Sequence, residues 1–151
     1  MKSESEILND LARYCSQAER CLFDLRKKIQ SANLSGDAEK RIINKLVKEK
    51  FVDEKRFAHS FVHDKFQLNH WGRIKIVYEL KQRGIPSEIY HAAMESIDET
   101  EYLAVLHAML INKKRSIKNH PPRDSYQKLF RFAASKGFES SCISEILKKI
   151  L

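Results

Sequence analysis

The sequence predicts an all-α fold, laid out as an elongated array of three tandem three-helix repeats. Three observations predict it. Four glycines and three prolines among 151 residues leave little punctuation for a many-turned β protein. Apolar residues recur three and four apart along most of the chain, which is the spacing of one helix face. One phrase also returns. "KQRGIPSEI" (Lys81 to Ile89) and "SKGFESSCI" (Ser135 to Ile143) share a basic residue, a glycine, a bulky apolar residue, polar positions and an isoleucine in the same order.

The phrase reads as a helix end followed by a helix start. Glycine tolerates the left-handed backbone that closes a helix, and an apolar residue after it folds back onto the last turn. Gly84-Ile85 and Gly137-Phe138 both fit. Upstream, Ile76 and Leu80 share one face, as do Leu129 and Ala133. Downstream, Pro86 suits a first helical turn, and Ile89, Ala93 and Ile97 continue a stripe, as do Ile143 and Leu147. The template also fits the N-terminal third. Leu25 and Ile29 precede Asn33-Leu34, asparagine being the next residue to accept the left-handed position, and Ile42, Leu46 and Lys50 follow.

A second phrase opens helices. "VDEKRF" (Val52 to Phe57) and "IDETEY" (Ile97 to Tyr102) each place an apolar residue before an aspartate cap and an aromatic four positions after it. This is a cap with a hydrophobic staple, and Glu101 is expected to complete a capping box with Asp98, where Asp53 has Arg56 instead. Phe57, Phe61 and Leu68 mark one helix face after the first cap; Tyr102, Leu103, Leu106 and Leu110 mark another after the second. Helices are expected near residues 4–17, 19–32, 37–50, 53–69, 72–83, 87–96, 98–117, 122–136 and 139–150. They group into repeats at 1–51, 52–96 and 97–151, a period of about 50 residues that signals an array whose units seal one another's thin cores. Asp53, Phe57, Gly84, Asp98 and Gly137 carry this architecture.

Composition bounds the rest. A 42% hydrophobic share is enough for a core. No run of about 18 apolar residues is present, so no membrane span is expected. "MKSESEILND" is acidic and does not read as a secretory signal. Cys15, Cys21 and Cys142 are odd in number and unclustered, which fits free thiols in a reducing cytoplasm.

Net charge is +8, and it is segregated. Gly84 to Asn112 contains no lysine or arginine, while Glu88, Glu95, Asp98, Glu99 and Glu101 are acidic. Lys113, Lys114, Arg115, Lys118, Arg123, Lys128 and Arg131 then follow against Asp124 alone. Arg73, Lys75, Lys81 and Arg83 form a second basic stretch, read as lacking local balance by acids, and Arg26, Lys27 and Lys28 a third. Segregation of this kind points to a polyanion or an acidic partner surface, against the plain reading of solubility.

Catalytic constellations do not stand out. His59 and His63 have metal-ligand spacing, but no glutamate follows His59, and two exposed helix histidines is the simpler reading. No glycine-rich phosphate loop or nucleophile elbow is present, and the Asp53-Glu54 and Asp98-Glu99 pairs are explained as caps. Trp71 offers a face for a base beside a basic stretch, although packing between repeats is the favoured reading.

With the repeats aligned, nearly the whole chain resembles the RecX family of bacterial recombination regulators. "FVDEKRFAHSFV" (Phe51 to Val62) is similar to the family's hydrophobic-Asp-Asp-x-Arg-Phe-Ala segment, with Glu54 in place of the second aspartate. "WGRIKIVYELKQRGI" (Trp71 to Ile85) follows its glycine, Arg-Ile, Glu-Leu and Lys/Arg-Gly-Ile cadence. "FRFAASKGF" (Phe130 to Phe138) looks like its third-repeat signature, with Ala133 where leucine is more usual. The resemblance implies a non-enzymatic, cytoplasmic modulator without cofactors, expected as a monomer. It implies binding to RecA and to the groove of the RecA–DNA filament, limiting filament growth, ATPase, strand exchange and coprotease activity. The three basic stretches are then the candidate contacts to RecA or DNA. A stand-alone DNA-binding helical module and a purely structural repeat scaffold are the alternatives.

Overall fold

In the computed structural model, residues 2–117 and 121–151 are described. They form nine helices, and no strand is present among them. The helices are α1 (Glu4–Gln17), α2 (Leu22–Gln30), α3 (Gly36–Lys48), α4 (Glu54–Gln67), α5 (Arg73–Gln82), α6 (Ser87–Met94), α7 (Glu99–Ser116), α8 (Pro122–Ser135) and α9 (Ser140–Ile150). Each expected helix is present, so the chain is an all-α helical repeat. Two compact units emerge, Met1–Phe61 with Leu80–Ala93 and Val62–Glu79 with Met94–Leu151. Both α4 and α5 contribute residues to each.

In the first unit, α1, α2 and α3 pack on one another. Ile7, Leu11 and Cys15 meet Leu25 and Ile29, and Ile42, Ile43, Leu46 and Val52 close the cluster. Helix starts are well satisfied. Ser3 Oγ accepts from Glu6 N–H (3.1 Å) while Ser3 N–H donates to Glu6 Oε1 (3.2 Å), a reciprocal box that the alternating "SESE" conceals. Ser35 Oγ accepts from Ala38 N–H (3.1 Å). Asp53 Oδ1 caps α4 by accepting from Arg56 N–H (3.1 Å). Arg56 itself turns its guanidinium to Glu19 (2.9 Å) and to the Lys50 carbonyl (3.0 Å).

The three copies of the closing phrase all adopt the left-handed backbone, at φ 53° for Asn33, 69° for Gly84 and 96° for Gly137. After Gly84, Ile85 N–H returns to the Leu80 carbonyl (3.1 Å) and its side chain is buried. After Gly137, Phe138 N–H returns to the Ala133 carbonyl (3.2 Å) in the same way. Lys50 and His70 also sit at positive φ, closing α3 and α4 without a glycine to announce them.

In the second unit, α7, α8 and α9 pack pairwise. Asp98 Oδ2 caps α7 through Glu101 N–H (2.9 Å). The reciprocal arm expected of Glu101 is not made; its carboxylate accepts from Gln67 Nε2 (2.6 Å) instead. The tightest feature is the start of α5. Gly72 N–H donates to the Lys136 carbonyl (2.7 Å), Arg73 N–H to Tyr102 Oη (2.9 Å) and Ile74 N–H to the Gly137 carbonyl (2.9 Å). Three successive donors at a helix start thus find tertiary partners in place of a side-chain cap. A Cβ on Gly72 would overlap the Gly137 backbone, so this approach requires glycine.

Candidate polyanion-binding groove

In the first unit, α2 presents Phe23, Arg26, Lys27 and Gln30 at helical spacing, and these line one wall of a groove. The left-handed turn at Gly84 supplies the opposite wall, with Lys81, Gln82 and Arg83 on its approach. Two basic stretches more than fifty positions apart therefore meet in one cleft of ≈ 540 Å³. Aromatic rings support three of the four cations. Lys27 Nζ lies 5.1 Å from the centroid of Phe23, the Arg83 guanidinium 4.9 Å from Phe61, and Lys81 Nζ 5.9 Å from Tyr90.

Glu54 is the one acid in the groove lining. Burial pushes its carboxyl above the usual range, against the opposing Leu22 N–H bond and the charge of Arg26. Through Leu22 it caps the start of α2, while Oε2 is buried without a hydrogen-bond partner. Four cations and one partly desolvated carboxylate line the cleft, with Asp24 and Asp53 close enough to act on Glu54, and a lining of this composition suits phosphates or carboxylates on a partner.

The remaining basic candidates are distributed elsewhere. Lys28 leaves the groove and lies 4.6 Å from the ring of Tyr14, which Arg20 also covers at 3.7 Å. Arg73 has acids after all. In the second unit its guanidinium bonds Glu139 Oε2 (2.8 Å) and pairs with Glu99, over the ring of Tyr102 at 3.8 Å. The sequence could not show this balance, because its acids lie 26 and 66 positions away. Lys75 Nζ stands 4.4 Å from the ring of Trp71, with Lys65 Nζ at 4.9 Å. Lys114 Nζ donates to the Ile150 carbonyl (2.7 Å) and Lys113 lies 5.0 Å from Phe132, so both help hold the second unit together. Arg115, Arg123, Lys128 and Arg131 are exposed, and Lys118 lies outside the described residues.

Other chemistry finds little footing. His59 and His63 are exposed, and His63 Nδ1 meets Asp64 at 3.3 Å. Among the described residues, no group of three or more histidine, cysteine or acidic side chains is placed to hold a metal ion. Burial pushes the Cys21 thiol up to about 12 and raises Cys15 and Cys142 as well, which disfavours thiolate nucleophiles. No helix of the described residues is long and apolar enough to cross a membrane.

Fold and groove together define an all-α helical-repeat protein with a cleft lined mainly by basic side chains. Residues 53–94 match the family model for the second three-helix domain of RecX, and residues 99–147 that for the third. The chain is 31% identical to Regulatory protein RecX of Clostridium perfringens (strain 13 / Type A), over 94% of this chain and 67% of that relative. It is also 31% identical to Regulatory protein RecX of Clostridium tetani, spanning 89% of this chain but only 61% of that relative's length. A crystal structure of RecX from Lactobacillus salivarius superposes with a TM-score of 0.86 at 21% identity, covering 97% of this chain and 95% of that one. A second crystal structure, of regulatory protein RecX, gives 0.87 at 23% identity over 97% of this chain and 73% of that one. The chain belongs to the RecX family of regulatory proteins.

Proposed function

We propose that the protein is a non-enzymatic regulator of RecA, acting on the RecA–DNA filament to limit its growth. In this reading it lowers RecA ATPase, strand-exchange and coprotease activity in recombination, DNA repair and the SOS response. It works in the cytoplasm as a monomer, as three repeats at 1–51, 52–96 and 97–151. Family membership supports the regulatory role. The observation that carries the contact is the groove in which Arg26, Lys27, Lys81 and Arg83 converge, because a lining rich in cations attracts a polyanionic partner.

The test is a titration of DNA-dependent ATP hydrolysis by RecA. Amounts well below one molecule per RecA protomer should inhibit, since a molecule at a growing end stops many additions. A requirement for one molecule per protomer would favour coating of the filament. The Lys27→Glu/Lys81→Glu variant leaves the Arg73 and Lys114 contacts intact, and keeps the charge of Arg26 beside Glu54. Its stability should stay within about half a kcal/mol of wild type, while inhibition falls steeply. If the groove meets phosphate, wild-type affinity weakens as salt rises and the variant shows a flatter salt slope. A stable variant that inhibits fully sinks the groove as the contact surface. Tight, salt-sensitive DNA binding with no effect on RecA would instead favour a stand-alone nucleic-acid module.

A further inference from the structure

Glu54 stands between two sets of cations in the first unit. It lines the groove that holds Arg26, Lys27, Lys81 and Arg83, and it lines an adjoining hollow of ≈ 330 Å³ with Lys50 and Lys55. Leu22 and Glu54 line both cavities, so they form the ridge the two share. One oxygen of this carboxylate, Oε2, is buried without a hydrogen-bond partner. The fold has no need of a charge there. Holding the start of α2 takes one acceptor for Leu22 N–H, which a neutral carboxyl or an amide supplies as well, and Asp24 already accepts from Cys21 N–H (3.2 Å). A buried oxygen without a donor is costly to keep ionised.

The groups around Glu54 decide what a bound anion does to it. From α2, Asp24 opposes its charge and Arg26 favours it, while burial keeps the Cys21 thiol neutral. From α4, Asp53 opposes it too, and Lys55 follows on the side of the hollow. Lys50 ahead of α4, and Lys81 and Arg83 around the end of α5, complete the cations along the two cavities. The α6 side contributes the apolar Pro86 and Ile89. A phosphate seated on Arg26 neutralises the guanidinium that helps hold Glu54 ionised, and it adds a negative charge of its own. Both changes act in the direction in which burial already moves this carboxyl, upward. By linkage, a proton on Glu54 then strengthens phosphate binding by the same factor.

We infer that the groove is a proton-coupled phosphate site, in which the phosphodiester chain of single-stranded DNA binds along the cations while Glu54 takes up a proton from solvent, so that binding tightens as pH falls. This rests on the polyanion reading of the groove given above. The test measures binding of a deoxythymidylate oligomer to wild type and to Glu54→Gln, from about pH 8 to about pH 5 at constant salt, with melting recorded alongside. Neither thymine nor a phosphodiester titrates in that range. The substitution keeps an acceptor for Leu22 N–H and removes the charge. At the alkaline end the variant should therefore bind about fivefold more tightly, the factor for one charge pair a few ångströms apart in water. Toward the acid end the two should converge, because wild type is then neutral at this position as well. The exposed histidines of this unit, His59 and His91, are present in both proteins, so the difference between the curves isolates Glu54.

Curves that stay parallel for two folded proteins overturn the coupling and leave the groove standing. If Glu54→Gln melts early, the carboxyl carbon resonance of Glu54 in isotope-labelled wild type decides instead. Its midpoint should move to higher pH when the oligomer is bound, and an unmoved midpoint overturns the inference. A wild type that binds no oligomer at any pH removes both this inference and the phosphate reading of the groove, while the RecA titration still judges the regulatory function separately.

Discussion

Gly84 and Gly137 occupy the same place in the same phrase, and their surroundings differ completely. At Gly84 a side chain would meet nothing within 4 Å, so glycine is there for the left-handed turn alone. At Gly137 an added Cβ would overlap the Cβ of Lys75 and lie 2.6 Å from its backbone nitrogen. There glycine does two things: it closes α8 and lets the start of α5 press backbone to backbone. A repeated sequence phrase therefore specifies a local conformation, and the packing around each copy decides how much depends on it.

The largest expected effect breaks the equivalence directly. Gly137→Ala meets backbone that cannot move aside, at a φ of 96° that alanine rarely adopts. It should cost about 3 kcal/mol or more, from overpacking added to left-handed strain. Gly72→Ala should be similarly severe, since its Cβ would strike the same junction from the other side. Gly84→Ala should cost about 1 kcal/mol from strain alone. Urea unfolding of the three variants checks the ranking, and equal losses at Gly84 and Gly137 would show that close approach adds nothing.

This contrast also marks what the sequence could reveal. Every helix and all three left-handed closures were legible, because periodicity, caps and the glycine phrase are local signals. The junction was not, because nothing local distinguishes Gly72 and Gly137 from ordinary turn glycines. The same holds for Arg73, which reads as a surface cation until Glu99, Tyr102 and Glu139 are folded around it. In the groove, both basic walls were visible as charge runs, but their convergence depends on tertiary packing. Lys50 and His70 carry left-handed turns on residue types that give no warning.

The next effect concerns the cluster built beside Gly137. Burial acts to raise the Glu139 carboxyl, but bonds from Tyr102 and Arg73 outweigh it and hold the group below its usual range. A depressed carboxylate adds stability that is present above its unfolded pKa and lost as pH falls through the folded value. Burial pushes the Tyr102 phenol far up, with Glu139 accepting its proton, so that contribution is full below about pH 10 and is lost as pH rises further. Glu139→Gln should cost about 1.5–3 kcal/mol near neutrality, as for a hydrogen bond to a charged group. Its melting temperature should also fall less steeply than wild type as pH drops from about 5 to 2. Glu54, whose carboxyl is raised rather than lowered, should contribute with the opposite sign. A Glu139→Gln variant with the wild-type acid slope would mean the cluster carries no such linkage.

Smaller again are the two caps. Asp53→Ala and Asp98→Ala each remove one bond to a helix N–H and should lose about 0.5–2 kcal/mol. Here the two copies should behave alike, because neither has a working reciprocal arm: Arg56 engages Glu19 and Glu101 engages Gln67. A loss at Asp98 much larger than at Asp53 would imply that Glu101 holds the cap in solution.

The smallest effect comes from the first copy of the phrase, where Asn33 holds the left-handed position at φ 53°. Asparagine tolerates that region at some cost, and glycine enters it with none. Unlike Gly137, this residue is exposed, and unlike Gly84 it carries a side chain that can bond to nearby backbone. If conformation alone governs the site, Asn33→Gly should stabilise the protein by about 0.5 kcal/mol, less than the intrinsic difference because glycine also frees the unfolded chain. That gain would place the first copy with Gly84, as a turn that needs only its backbone angle. A loss of stability would instead show the Asn33 side chain fastening the end of α2, giving the three copies three distinct reasons for the same bend.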